Sequence, residues 1–220
     1  MDAIFVSGRD PSTQERYYRP LLQFLHSVDA DDARVEVIPT RRHWEATYVA
    51  LSFPIARGWE RQLDIRFNPL FYEPELPLSD YRQWLLDEGV RYVALPDAEL
   101  DKSGELEADL VEGTPAFLRP AWSGSHWKVW EVVSSTGMVD GPADVVEIDA
   151  DSVTIEVRVA GDVKLRIRPS AYWVTDPPLC VEATADDWIV IRDAQPGPVE
   201  VFIDESDLLP AEDLCVTPDG

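Results

Sequence analysis

The densest run of reactive side chains is Arg41-Arg42-His43-Trp44-Glu45, followed by Ala56-Arg57-Gly58-Trp59-Glu60-Arg61-Gln62-Leu63-Asp64. If residues 43–45 are extended, His43 and Glu45 point to the same side and form a usable acid–base pair. If residues 59–66 are helical, Arg57, Glu60, Arg61 and Asp64 share one face at i, i+3, i+4, i+7. Such a face is either a ladder of ion pairs, each worth about 0.2–0.5 kcal/mol, or a functional charged surface. A glycosidase needs two carboxylates about 5 Å, or about 6.5–9.5 Å, apart across a sugar. Glu45 with Glu60 or Asp64 is the candidate catalytic pair, and nothing in the sequence fixes their separation.

Flat aromatic rings beside polar groups suit sugar stacking. The chain has 8 Trp. Trp122, Trp127 and Trp130 cluster, and Tyr172-Trp173 beside Pro177-Pro178 reads as an exposed pair in a loop. Core packing with a bonded indole N–H is the ordinary alternative for any one of them. His43, Trp44, Arg57, Trp59, Tyr172 and Trp173 are therefore the candidate ligand-binding residues. Metal and cofactor chemistry finds no pattern. His26, His43 and His126 lack zinc spacing. Glu147-x-Asp149-x-Asp151 opens like a calcium loop, but Ser152 stands where Gly is needed and Arg158 where the bidentate Glu belongs. No phosphate-binding glycine loop and no nucleophile elbow occurs, so no cofactor is expected.

The net charge is −23. Residues 1–130 carry 22 acidic and 14 basic groups, net −8, whereas residues 131–220 carry 20 and 5, net −15. Such a field repels a phosphate backbone and excludes nucleic acid as a partner. Arg outnumbers Lys 16 to 3, but the arginines are scattered among acids and make no basic patch. No apolar run is long enough to span a bilayer, and residues 1–7 lack the basic and apolar regions of a signal peptide. Composition thus predicts a soluble acidic protein. Its only two cysteines, Cys180 and Cys215, either stand free and partly buried or form one disulfide. The disulfide would stabilise by roughly 3–4 kcal/mol and would require an oxidising compartment.

The elements that must position these residues fall into two blocks. Ile4–Val6 is a possible strand. Asp10-Pro11 caps a helix whose apolar face is Tyr18, Leu21, Leu22 and Leu25, with Pro20 set to kink it. Residues 34–38 alternate as a strand, and Trp44 to Phe53 is rich in β-formers. Residues 58–72 read as helical up to Asn68-Pro69. Ser79 to Glu88 is a helix ended by Gly89, and Val90 to Leu95 a buried strand. A helix over 103–112 puts Leu106 and Leu110 inward, and strands follow near Phe117 and over 127–133. That order predicts a small α/β sheet over residues 1–135. Over 143–207 the pattern turns to alternating strands. Val153 to Val159 and Val163 to Ile167 flank Ala160-Gly161-Asp162, a good hairpin turn. The fold class expected is α+β: a small α/β sheet domain, then an antiparallel β-sandwich, then a loose tail over 208–220.

Five stretches carry a resemblance: His43-Trp44-Glu45-Ala46, Ala56 to Asp64, Asn68-Pro69-Leu70-Phe71-Tyr72, Tyr81-Arg82-Gln83-Trp84-Leu85 and Val90-Arg91-Tyr92-Val93-Ala94-Leu95. They resemble the C-terminal extracytoplasmic region of bacterial polytopic membrane proteins described as GT-C-type glycosyltransferases. The similarity extends through Leu165 to Trp173. It implies a glycan or polyprenyl-linked sugar as ligand, on the extracytoplasmic face of the membrane. GT-C enzymes hold their catalytic acid between transmembrane helices, which this chain lacks, so no catalytic residue carries over and the parent membrane domain is absent from the chain. The chain is then either an excised piece or a free-standing relative, and Met1 opening shortly before the recognisable region favours the first. The leading expectation is an accessory sugar-binding or positioning domain, not catalytic by itself. The alternatives are a stand-alone carbohydrate-active hydrolase using Glu45, Glu60 or Asp64, and a protein-interaction module.

Overall fold

The computed structural model describes residues 10–149, 151–203 and 215. The chain divides into two units, 1–135 and 136–220. The possible strand at Ile4–Val6, and the tail over 208–220 apart from Cys215, lie outside the described residues.

In the first unit Asp10 accepts a hydrogen bond from the Ser12 N–H and starts a 3-10 turn, Pro11–Thr13, which leads into α1, Glu15–Ser27. Pro20 lies inside α1 without splitting it. A proline in a helix interior forfeits an i→i−4 bond, and here burial of Tyr17, Tyr18, Leu21 and Leu25 holds the helix together. The sheet has β1 (Arg34–Val37), β2 (Val90–Pro96), β3 (Leu118–Ser123) and β4 (Trp127–Val132), ordered β1-β2-β4-β3. The β1–β2 pair is parallel and the others antiparallel. Both faces are covered. Val35, Val37, Tyr92, Ala94, Trp127 and Val129 pack with α1. Ile38, Val93, Leu95, Trp130 and Val132 pack on the other side with the remaining helices.

Those helices are α2 (Glu45–Tyr48), α3 (Arg61–Phe67), α4 (Leu78–Asp87) and α5 (Lys102–Glu112). Residues 44–53, expected to be extended, instead contain the single turn α2, because Val49 and Phe53 are drawn into the core with α1. The helix expected from residue 58 begins only at Arg61 and stops before Pro69. In α5 the inward face is Gly104, Glu107, Ala108 and Val111, and Leu106 is exposed. The helix is rotated from the expected Leu106/Leu110 face because Glu107 has a buried cationic partner. Its close approach needs Gly104, where a Cβ would sit 2.9 Å from Ile38 Cγ2.

The second unit has no helix among its described residues. One antiparallel sheet is ordered β10 (Val181–Ala183), β11 (Ile189–Ala194), β8 (Gly161–Leu165), β5 (Val139–Asp140). The other is ordered β6 (Ala143–Ile148), β7 (Ser152–Val157), β12 (Gly197–Ile203), β9 (Trp173–Asp176). The two sheets feed one apolar core, with Val153, Ile155, Val157, Val199 and Val201 from one and Val163, Leu165, Ile189 and Ile191 from the other. The hairpin expected at Ala160-Gly161-Asp162 does not form. β7 pairs with β6 and β12, and β8 with β5 and β11. The turn carries the chain from one sheet to the other, so both alternating apolar faces reach the shared core.

Cys180 and Cys215 are joined by a disulfide. With its ends separated by 35 positions in the sequence, the loop-closure account gives roughly 4 kcal/mol of stabilisation.

Candidate functional site

Glu36 lies on β1 between Val35 and Val37 and faces the helices of the second layer. It is fully buried, as is Glu107 on α5. Arg57, in the segment before α3, reaches between them. Its Nε donates to Glu36 Oε1 at 3.0 Å and its Nη2 to Glu107 Oε2 at 2.6 Å. The guanidinium plane lies 3.6 Å from the Phe71 ring centroid, a cation–π contact in a dry setting. Tyr81 donates to the other Glu107 oxygen at 2.8 Å. Asp64 Oδ2 stands 3.9 Å from Arg57 Nη1, too far for a hydrogen bond.

Three carboxylates around one arginine leave an excess of negative charge out of water. Burial pushes the Glu36 and Glu107 carboxyls up, against the pull of Arg57. The Arg57 guanidinium stays charged because Glu36, Glu107 and Asp64 outweigh its own desolvation. Glu36 Oε2 and Arg57 Nη1 have no hydrogen-bond partner among the described residues.

The network continues outward through Asp64. Asn68 Nδ2 donates to its Oδ1 at 2.9 Å and the Tyr72 hydroxyl to its Oδ2 at 2.6 Å. Trp84 Nε1 in turn donates to Asn68 Oδ1 at 2.8 Å, which fixes the amide. Tyr72 is half-buried and lines a depression of about 410 Å³ with Arg61, Phe71, Glu73, Lys102, Ser103, Glu105 and Leu106. Burial and the bond to Asp64 push the Tyr72 phenol up to about 12. It stays neutral and presents an oriented oxygen to the depression. Lys102 has no partner among the described residues.

A second polar cluster adjoins this wall. His43 Nδ1 lies 3.3 Å from Glu45 Oε1, and its Nε2 lies 3.5 Å from Asp101 Oδ2. Thr40 Oγ1 donates to Glu45 Oε2 at 2.7 Å. The bond to Glu45 raises the His43 imidazole despite partial burial. Asp101 also accepts from Arg61 Nη2 at 2.8 Å and from the Ser103 N–H and hydroxyl. Burial alone would raise its carboxyl, but these bonds hold it below its ordinary value.

The sequence candidates are therefore divided. His43 and Glu45 do meet, but through a left-handed backbone at His43, φ 55°, and not by alternation on a strand. The ladder Arg57–Glu60–Arg61–Asp64 does not form: Arg57 precedes the helix and turns inward, and Arg61 pairs with Asp101. Glu45 and Asp64 are buried and fully engaged, and only Glu60 among the three carboxylates is exposed. Glu45, Glu60 and Asp64 therefore do not form a pair of free carboxylates. Trp44 is exposed and stacks on Tyr48, with ring centroids 5.6 Å apart, and Trp59 is exposed. Tyr172 is exposed, but Trp173 begins β9, packs against the core and donates its indole N–H to Arg168 O.

Glu36, Glu107, Tyr72 and Asp101 were not singled out from the sequence. Two signals point to the first two. The apolar run of β2 shows a sheet covered on both faces, so its neighbour Glu36 must be buried. Gly104, Glu107, Ala108 and Val111 share one helical face. No family model, curated protein or solved structure matches the chain.

Proposed function

We propose that this chain is a non-catalytic sugar-binding or positioning module, the extracytoplasmic part of a larger membrane glycosyltransferase-like protein. The observation that carries the reading is the Tyr72 hydroxyl, fixed by Asp64, in a residue that lines a depression with Arg61, Lys102 and Ser103. Pre-set hydroxyl, ammonium, guanidinium and carboxylate groups (Glu73 and Glu105) beside apolar surface suit a polyhydroxylated ligand. The burial and engagement of Glu45 and Asp64 argue against a hydrolase built on them. The Cys180–Cys215 disulfide supports an oxidising compartment. In this reading the two C-terminal sheets form a β-sandwich. No helix of the described residues is long and apolar enough to cross a membrane.

A cell-wall glycan array followed by calorimetric titration tests the reading, with native protein compared with Tyr72→Phe. The variant should bind roughly 3- to 10-fold more weakly, the worth of about one hydrogen bond. Silence of native protein towards every cell-wall glycan and polyprenyl-linked sugar would refute it.

A further inference from the structure

Arg57 offers one edge of its guanidinium, the Nε–H and a parallel N–H of Nη2, to two different acids. Such an edge is ordinarily filled by both oxygens of a single carboxylate. Here Glu36 Oε1 accepts from Nε at 3.0 Å and Glu107 Oε2 from Nη2 at 2.6 Å. Glu36 on β1 and Glu107 on α5 are therefore set side by side, both fully buried. Two carboxylates sharing one dry site do not both ionise freely. The donors around them are divided unevenly. Glu107 has the Tyr81 hydroxyl on its second oxygen at 2.8 Å, and Asp64 has Asn68 and Tyr72. Glu36 Oε2 has no donor among the described residues, a condition native folds rarely leave without reason.

We infer that Glu36 and Glu107 together are a binding site for one proton, which Glu36 carries at neutral pH and donates to the Glu107 carboxylate. A proton on Glu36 turns its bare oxygen from an acceptor without a donor into a donor, and the Glu107 carboxyl stands within hydrogen-bond reach of it. Charge balance points the same way. Arg57 offsets one of its three carboxylates, and the proton offsets a second. The groups that face the pair are Arg57 from the segment before α3, Asp64 from α3 and Tyr81 from α4. The Asp64 charge favours a proton on the pair, and the Tyr81 bond, made to Glu107 alone, directs it to Glu36. Burial raises both carboxyls, Glu36 well above its ordinary value. The proton fastens α5 to β1. Its loss at high pH sets two like charges on one edge of Arg57 and loosens that seam.

The site does not depend on the sugar reading, and no ligand enters its test. Infrared spectra are taken of the whole chain labelled with ¹³C at the glutamate side-chain carboxyl. Glutamates in water are ionised at neutral pH. The native fold should therefore show a protonated glutamic carboxyl that is absent from the unfolded chain and from Glu36→Gln. The Gln amide keeps a donor towards Glu107, so this variant retains the seam. Refolding in weak buffer at neutral pH gives the count: native protein should take up about one proton more than Glu36→Gln. Equal uptake by the two overturns the inference. So does a native spectrum without a protonated glutamic carboxyl, the result expected if a buried water donates to an ionised Glu36. That spectrum decides even where a variant fails to fold. A protonated carboxyl that persists in Glu36→Gln and vanishes only in Glu107→Gln overturns the assignment of the proton to Glu36.

Discussion

Arg57 and Glu36 form a charge-assisted hydrogen bond of 3.0 Å with both side chains essentially out of contact with solvent. Such a pair does little for net stability against an apolar replacement, but loss of one partner strands the other. Glu36 is shared among a sheet, Arg57 among a loop and Glu107 among a helix. The cluster ties three elements together behind the Tyr72 depression.

Arg57→Leu should therefore destabilise the N-terminal unit by about 3–5 kcal/mol at neutral pH. The loss should shrink as pH falls, because protonation removes the stranded charges. Arg57→Lys should rescue poorly, since an ammonium cannot span Glu36 and Glu107 as a planar fork. Denaturant titrations at two pH values give both results.

Glu36→Gln isolates the pH dependence. The Glu36 carboxyl is raised in the fold, so between its ordinary value and the raised one the folded state keeps a proton that the unfolded state has lost. Stability then falls as pH rises through that window and is flat above it. The Gln variant should lack this decline. A variant with an unchanged slope would remove Glu36 as its source.

His43 carries the opposite kind of group and the same direction. Its imidazole is raised, first by the bond to Glu45. The stabilisation is complete below the unfolded value and is lost as pH rises through the folded one. His43→Gln should flatten the stability profile between those two values, read by thermal unfolding at a series of pH values.

Replacing Cys180 and Cys215 together by Ser should cost the C-terminal unit roughly 4 kcal/mol by the loop-closure account. The N-terminal tryptophan signals should be unaffected at mild denaturant. An unchanged midpoint would mean that the unfolded chain is already constrained there.

Sequence patterning located most elements because capping and alternation are local. Asn68-Pro69 and Gly89 end or begin elements where expected, whereas Asp10-Pro11 starts a 3-10 turn and the helix itself begins only at Glu15. What patterning missed depends on partners far along the chain. Glu107 turns α5 by one position because Arg57, 50 residues away, waits in the core. Residues 44–53 have β-forming side chains but fold as a turn because Val49 and Phe53 pack with α1. The turn at Gly161 has hairpin chemistry, yet its flanking strands find better partners in two different sheets. The candidate carboxylates were legible as residues, whereas their burial was not.

The most direct measurement is an amide-resolved NMR titration of the whole chain with a glycan selected from the array. The account predicts saturable shifts centred on Arg61, Tyr72, Lys102 and Ser103, and a loss of affinity in Tyr72→Phe measured while the variant is still folded, its stability lowered by about 1–3 kcal/mol because buried Asp64 loses a donor. Binding that leaves those four resonances still, or is untouched by Tyr72→Phe, would contradict it.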